Sequence, residues 1–319
     1  MSLSRSSPKI ALSLLTALAV ASLATTQSTS GGTDMKLTGP VIENAVILAV
    51  SVVDKQKNLV TNLEAKDFTV FEDDQPQKIF YFSREDAPVS VGVLLDDSGS
   101  MRSKREQAAQ MIMELLTAGN PSDEFLVIKF NDQAFLDQEF TSDLNRVQRG
   151  LARGSSRGGT ALYDSLLSTS DHVMETAKYA KRVLLVVSDG EDNESRAKLP
   201  AVLQDFQLLN RPTVYAIGLL KEEPGNSVGQ ARHVLEALCA ETGGTAFFPR
   251  NFREMHNAAL RIAAEIRNQY TLSYKSPAGG AGDQYRKLKI TVDRKDLMIH
   301  VRPGYSVATN TPAQKSTSR

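Results

Sequence analysis

The sequence predicts an α/β protein with a doubly wound, Rossmann-like, mainly parallel sheet covered by helices on both faces. A small antiparallel β-sandwich-like domain is expected beside it, drawn from the two flanks. Three observations predict this. In the middle of the chain, short apolar runs alternate with amphipathic helical patterns, as in a parallel sheet buried on both sides. On either side of that region apolar residues fall two apart, the period of half-buried antiparallel strands. The length of 319 residues suits two domains at roughly 150 residues each.

Taken in order, the first 24 residues carry no acidic side chain. Arg5 and Lys9 give a basic start, and residues 10–24 form an apolar run ending in small residues. Ala19-Val20-Ala21 and Ser22-Leu23-Ala24 both fit signal-peptidase sites. The run is shorter than the ~20 apolar residues a membrane span needs. Residues 1–24 are therefore expected to be a cleaved secretory signal, with an uncleaved anchor or a plain helix as the alternatives. No stable membrane span would remain after cleavage, and the protein is expected to be exported, periplasmic or extracellular. Residues 25–40, rich in Ser, Thr and Gly, read as a flexible leader.

Residues 41–86 are strand-like. Val46, Leu48, Val50 and Val52 lie two apart, and a polar turn at 54–58 follows; residues 68–71 and 78–82 flank a second turn. Residues 87–268 carry the α/β series. Strands are expected at 89–95, 125–130, 183–187, 213–217 and 245–248, with 134–140 as a hairpin partner of the second. Helices are expected at 103–117, 161–179, 199–209, 231–241 and 252–268; in the first, Ala108, Met111, Ile112 and Leu115 share one face. In residues 269–307, Tyr270, Leu272 and Tyr274 alternate with polar residues, as do Leu288, Ile290 and Val292. Residues 277–282 form a Gly-rich turn, and 308–319 a disordered tail. Each β group alone is short for a stable sheet. The two are expected to pair into one sandwich interrupted by the α/β domain, with two separate small β elements as the alternative.

Composition narrows the function. With 37 basic and 37 acidic side chains the chain lacks the net basic charge of a dedicated nucleic-acid binder. Cys239 is the only cysteine, which excludes an intramolecular disulfide and a cysteine-built zinc site. Its place in the helical pattern 234–240 reads as a core position. His172, His233, His256 and His300 are too far apart for a ligand spacing, and His172 and His233 read as surface or packing residues. Lys178, Lys181 and Arg182 read as a solvated helix end.

Three strand ends carry small oxygen-bearing side chains: Asp96-Asp97-Ser98-Gly99-Ser100, Gly158-Gly159-Thr160 and Ser188-Asp189-Gly190. In open α/β sheets ligands bind at the carboxyl ends of the strands. An all-oxygen set suits a hard divalent cation. Ser98 and Ser100, two apart in a turn, can aim both hydroxyls at one point; Asp96 can hold them or their waters, and Thr160 and Asp189 would complete the cage. Because most of these donors are neutral, the ion would seek an anionic ligand from another molecule. The bland reading of Asp96 to Ser100 is a helix N-cap, and it weakens once the other two loops are counted. Gly243-Gly244 reads as a helix C-cap and turn.

The pattern Asp-x-Ser-x-Ser, then a distant Thr, then a distant Asp, resembles the metal-ion-dependent adhesion site of von Willebrand factor A domains. All five positions match, at Asp96, Ser98, Ser100, Thr160 and Asp189. The resemblance implies Mg2+ as the ion, with Mn2+ or Ca2+ as alternatives, since Glu191, Asp192 and Glu194 crowd the last loop. It also implies a protein or extracellular-matrix-like partner presenting Asp or Glu. Residues 50–54, 63–73, 76–79 and 301–305 are similar to the flanks of the bacterial "VWFA-related" family, an exported family common in acidobacteria. Asp97 departs from the pattern at a position often neutral in the superfamily, and is expected to point outward or cap the next helix. No Gly-x-Ser-x-Gly elbow, histidine pair or Walker loop supports catalysis, so a non-enzymatic binding module is expected. A structural envelope component with a vestigial site and a metal-assisted hydrolase are the alternatives.

Overall fold

The structure, a computed structural model, describes residues 45–154, 156–220, 226–277 and 285–306. The expected secretory signal, the leader, most of the Gly-rich turn and the expected tail lie outside the described residues.

A central six-stranded sheet organises the middle of the chain. Its strands are β5 (Ser90–Asp96), β6 (Glu124–Phe130), β7 (Ala134–Thr141), β8 (Arg182–Ser188), β9 (Thr213–Gly218) and β10 (Ala246–Phe247). They lie in the order β10-β9-β8-β5-β6-β7, all parallel except the β6–β7 hairpin. All seven residues of β5 are buried, as expected for a strand covered on both faces. Odd-numbered Val89, Val91, Val93 and Leu95 pack on one face with helices α1 (Arg105–Thr117), α2 (Leu144–Ala152) and α6 (Phe252–Arg267). On the other face Leu94 joins Leu126, Leu184 and Val186 against α3 (Leu162–Thr176), α4 (Leu199–Phe206) and α5 (Asn226–Thr242). Cys239 lies in this second core at 1% exposure, and its surroundings push its thiol pKa up through burial.

Helix α2 was not among the sequence expectations. Its signals are a side-chain N-cap, Asp143 Oδ1 accepting from Asn145 N–H at 2.9 Å, and a stripe of Leu144, Val147 and Leu151, the last two buried. The reading of Lys181 as part of a solvated helix end is corrected. Lys181 is half-buried and its ammonium donates to the Ile266 carbonyl at the last turn of α6. Burial lowers its pKa to about 8, the nearby Arg267 acting in the same direction.

The flanks share two further sheets. One has the order β13-β1-β11-β4, from β13 (Leu297–His300), β1 (Ala45–Asp54), β11 (Tyr270–Lys275) and β4 (Ile79–Ser83). The other has the order β14-β12-β2-β3, from β14 (Gly304–Tyr305), β12 (Arg286–Val292), β2 (Phe68–Glu72) and β3 (Gln75–Gln77). Strands before and after the α/β region are direct neighbours: Leu48 pairs with Leu272, and Val70 with Ile290. Even-numbered Val46, Leu48, Val50 and Val52 enter a common core with Phe68, Val70, Tyr270, Leu272 and Leu288. Buried Glu72 of β2 fastens the two sheets. Its carboxylate accepts from Ser276 Oγ at 2.7 Å, from Tyr305 Oη at 3.0 Å and from Tyr274 Oη of β11. Every oxygen of this buried acid is therefore occupied, which is what allows it to be buried.

Candidate metal centre

β5 has β6 on one side and β8 on the other, so the chain leaves its first central strand in both directions. The crevice at such a switch point is where ligands of open α/β sheets bind. Asp96 closes β5 and is fully buried. Its Oδ1 accepts the Ser98 N–H at 2.9 Å, which folds the turn, and its Oδ2 accepts the Ser188 hydroxyl at 2.6 Å, which ties β5 to β8. The turn brings Ser98 Oγ and Ser100 Oγ to 3.1 Å, with Ser98 buried and Ser100 exposed. Met101, in the short 3-10 turn Gly99–Met101, anchors this loop in the core below.

Thr160 is buried and reaches the same place through its backbone neighbours. Gly99 N–H donates to the Gly158 carbonyl at 3.3 Å and Arg157 N–H to the Asp97 carbonyl at 3.1 Å. On its other side, Thr160 N–H donates to Asn193 Oδ1 at 2.8 Å, while Asn193 N–H returns a bond to the Thr160 carbonyl at 3.0 Å. Gly159 N–H donates to Asp132 Oδ1 at 2.5 Å. The loops after β5 and β8 and the loop before α3 are thus stitched into one surface. Sequence reasoning did not single out Ser188, Asn193 or Asp132 as the residues doing this. Asn193 could have been suspected from its place in the loop after β8, whereas Asp132 has no signal beyond a turn residue.

Asp189 stands apart. It is 3% exposed, and neither of its buried carboxylate oxygens has a hydrogen-bond partner. The next residue, Gly190, has φ +76°, and a Cβ there would lie 2.9 Å from the Ala231 Cβ and carbonyl of α5. Glycine lets the chain turn away immediately after Asp189 in a conformation that side chains disfavour. Burial pushes the Asp96 carboxyl up to about 6, against the hydrogen bonds from Ser188 and Ser98; the charge of Asp189 adds to the rise. The two carboxylates therefore lie within electrostatic reach of one another.

Asp97 corrects an expectation. It neither points outward nor caps the following helix. It is 7% exposed, and its Oδ1 accepts the Ser156 N–H at 3.1 Å and hydroxyl at 2.9 Å and lies 3.6 Å from the Arg105 guanidinium. Its charge is turned into the loop before α3 and met by Arg105.

The donor set fits a hard divalent cation. Asp96, Ser98, Ser100, Thr160 and Asp189 offer only oxygen, the ligand type that Mg2+ and Ca2+ take. A buried carboxylate without a donor is costly unless a cation meets it, and Asp189 is such a group. Among the described residues no group of three or more His, Cys, Asp and Glu side chains forms a metal cluster. A site here would depend on hydroxyls. The histidines lie elsewhere, His172 with Glu139 and His256 with Glu114.

The family profile for the von Willebrand factor type A domain matches residues 91–191. No curated protein matches the sequence significantly. Among solved structures, the chain is similar to an aerotolerance-related membrane protein from Bacteroides fragilis, with 20% identity, 56% of this chain and 98% of that one covered, and a TM-score of 0.45. It is similar to a von Willebrand factor type A protein from Catenulispora acidiphila, with 13% identity, coverage of 86% and 77%, and a TM-score of 0.48. It is also similar to the vWF domain of the type V pili tip protein Mfa5 from Porphyromonas gingivalis, with 14% identity, coverage of 56% and 96%, and a TM-score of 0.42.

Proposed function

We propose that this chain, which carries a von Willebrand factor type A domain over residues 91–191, is an exported, non-catalytic binding protein. It would recognise an acidic group of a protein or matrix partner through a divalent cation held by Asp96, Ser98, Ser100, Thr160 and Asp189. The observation that carries this reading is the buried, unpartnered Asp189 carboxylate beside a turn that gathers two hydroxyls. Mg2+ is the proposed ion, with Mn2+ or Ca2+ able to replace it. The ion would supply Lewis-acid attraction for a carboxylate.

The chain's own residues set the balance of charge. Three of the five donors are neutral hydroxyls. Asp96 already shares its oxygens with the Ser98 amide and the Ser188 hydroxyl, and Asp97 is engaged by Arg105 and Ser156. This leaves room for an anionic ligand from outside. Ser100, the exposed member of the set, marks the side from which a partner would approach. Export rests on the pattern of residues 1–24; among the described residues no helix is long and apolar enough to cross a membrane.

The test uses the full chain as bait on an extract of the native envelope, in Mg2+ and in EDTA. Proteins retained with Mg2+, released by EDTA and lost with a Ser98→Ala/Ser100→Ala variant are expected. Retention that is indifferent to both EDTA and the variant would overturn the proposal.

A further inference from the structure

A cavity of about 260 Å3 opens between the loop after β8 and helix α5. Its wall includes Tyr163, Gly190, Asp192, Gln230, Ala231 and Val234. Gly190 directly follows Asp189, so the cavity adjoins the proposed cation position. Its volume lies near the lower end of the roughly 300–1,000 Å3 of small-molecule pockets and has room for one long side chain of a partner.

The lining is amphipathic. Ala231 and Val234 of α5 form a nearly covered apolar floor, and the Tyr163 ring, 8% exposed, offers an aromatic surface above it. Asp192 is half-buried, and its Oδ1 accepts the Tyr163 N–H at 3.3 Å. Burial raises the Tyr163 hydroxyl pKa, and the Asp192 charge raises it further, placing that carboxylate within electrostatic reach of the phenol. Glu191, on the same wall, has the same sign. An acidic side chain entering here would be repelled by Asp192. An apolar one would strip water from the Asp192 carboxylate and return no partner. A Lys or Arg would lay its aliphatic stem along the cavity beside Tyr163 and bring its cation to Asp192; an Arg plane could also stack on the ring.

We infer that this cavity takes a basic side chain of the same partner that supplies the acidic ligand, so that the recognised feature is an acidic residue with a Lys or Arg nearby. The inference rests on the cation-mediated reading above. It adds a specificity-determining contact through Asp192.

The experiment uses immobilised short peptides, each with one Asp followed at varied spacing by Arg, Gln or Glu. They are probed with the full chain in Mg2+ and in EDTA. In Mg2+, at one spacing or more, the Arg peptide should retain about fivefold more protein than its Gln counterpart, the worth of one partly desolvated ion pair. Asp192→Asn keeps an acceptor for the Tyr163 N–H and removes the charge; it should bring the ratio close to one while Gln peptides are still retained. Gln230→Arg, at an exposed position on the rim, should reduce the ratio in the same way. Equal retention of Arg and Gln peptides by the wild type, or an Arg preference that survives Asp192→Asn, would overturn the inference and leave the cation reading standing. If no peptide is retained in a Mg2+-dependent way, the cation reading falls and the inference with it.

Discussion

A carboxylate that is 3% exposed and accepts no hydrogen bond, as Asp189 does, has no compensation for the water it has lost. Glu72 shows the contrast within the same chain: it is 2% exposed, but three hydroxyls donate to it. The difference in surroundings gives Asp189 a measurable signature. In EDTA, Asp189→Asn should raise the unfolding free energy by about 1–3 kcal/mol, because it removes an uncompensated buried charge. The same variant should abolish any gain in stability from added Mg2+. Denaturant unfolding in both buffers checks this, and an Asp189→Asn chain that is less stable in EDTA would count against a ligand role. At this scale the sequence was most informative where chemistry selects residue type. Asp96, Ser98, Ser100, Thr160 and Asp189 stand out because the proposed oxygen cage would need oxygen-bearing side chains. Asn193 and Asp132 do not stand out, because they act by accepting backbone N–H groups, and many polar residues in a loop could do that. The orientation of Asp97 was illegible for a related reason: it is decided by Arg105 and by Ser156, 59 positions away in the sequence.

At the scale of elements, the strands of the central sheet were legible because burial on both faces leaves a continuous apolar run, and β5 is buried throughout. Helix α2 was not, because it is short and its apolar stripe is only three residues wide among Asn145, Arg146, Gln148 and Arg149. Lys181 is not legible as a packed residue for want of the partner element: it meets the end of α6, and no local pattern announces that contact. Its consequence is a pH dependence whose sign can be worked out. Lys181 has its pKa lowered to about 8, from an ordinary value of 10.5 in the unfolded chain. Between those values the unfolded chain holds a proton that the folded chain has released, so raising the pH favours folding. The contribution of Lys181 is a penalty at pH 7 that is relieved progressively from about pH 8 to 10.5. Unfolding free energies measured across that window should rise more steeply for the wild type than for Lys181→Met. Parallel curves would contradict the assignment.

Across the whole molecule, the flanking segments interleave, with β1 paired to β11 and β2 to β12, while Arg302 of the closing segment donates to the Phe206 and Leu209 carbonyls of the α/β region. The pairing was anticipated because neither flank could satisfy a sheet alone. The order of strands within each sheet was not, because alternation tells which face is apolar and says nothing of which edge meets which. Gly243 marks one point of contact between the two regions. It ends α5 at φ +83°, and Gly244 N–H then bonds back to the Cys239 carbonyl at 2.9 Å, the expected C-cap. A Cβ at Gly243 would lie 2.6 Å from the Arg302 backbone nitrogen and 2.8 Å from the Val301 carbonyl carbon. Gly243→Ala should therefore destabilise the fold by at least about 2 kcal/mol, from left-handed strain plus displacement of the closing segment. Gly229→Ala, in the same helix with nothing within 4 Å, should be neutral or stabilising by up to about 1 kcal/mol. Similar losses in both variants would remove the case for a close junction.

The central claim, that the loops around β5 and β8 hold a divalent cation, is tested most directly by calorimetric titration of the purified full chain with Mg2+ and Mn2+, alongside the Ser98→Ala/Ser100→Ala variant. Saturable binding to the wild type, weakened by more than about tenfold in a variant that melts normally, is the expected result. Titration curves that coincide for the two proteins would contradict it.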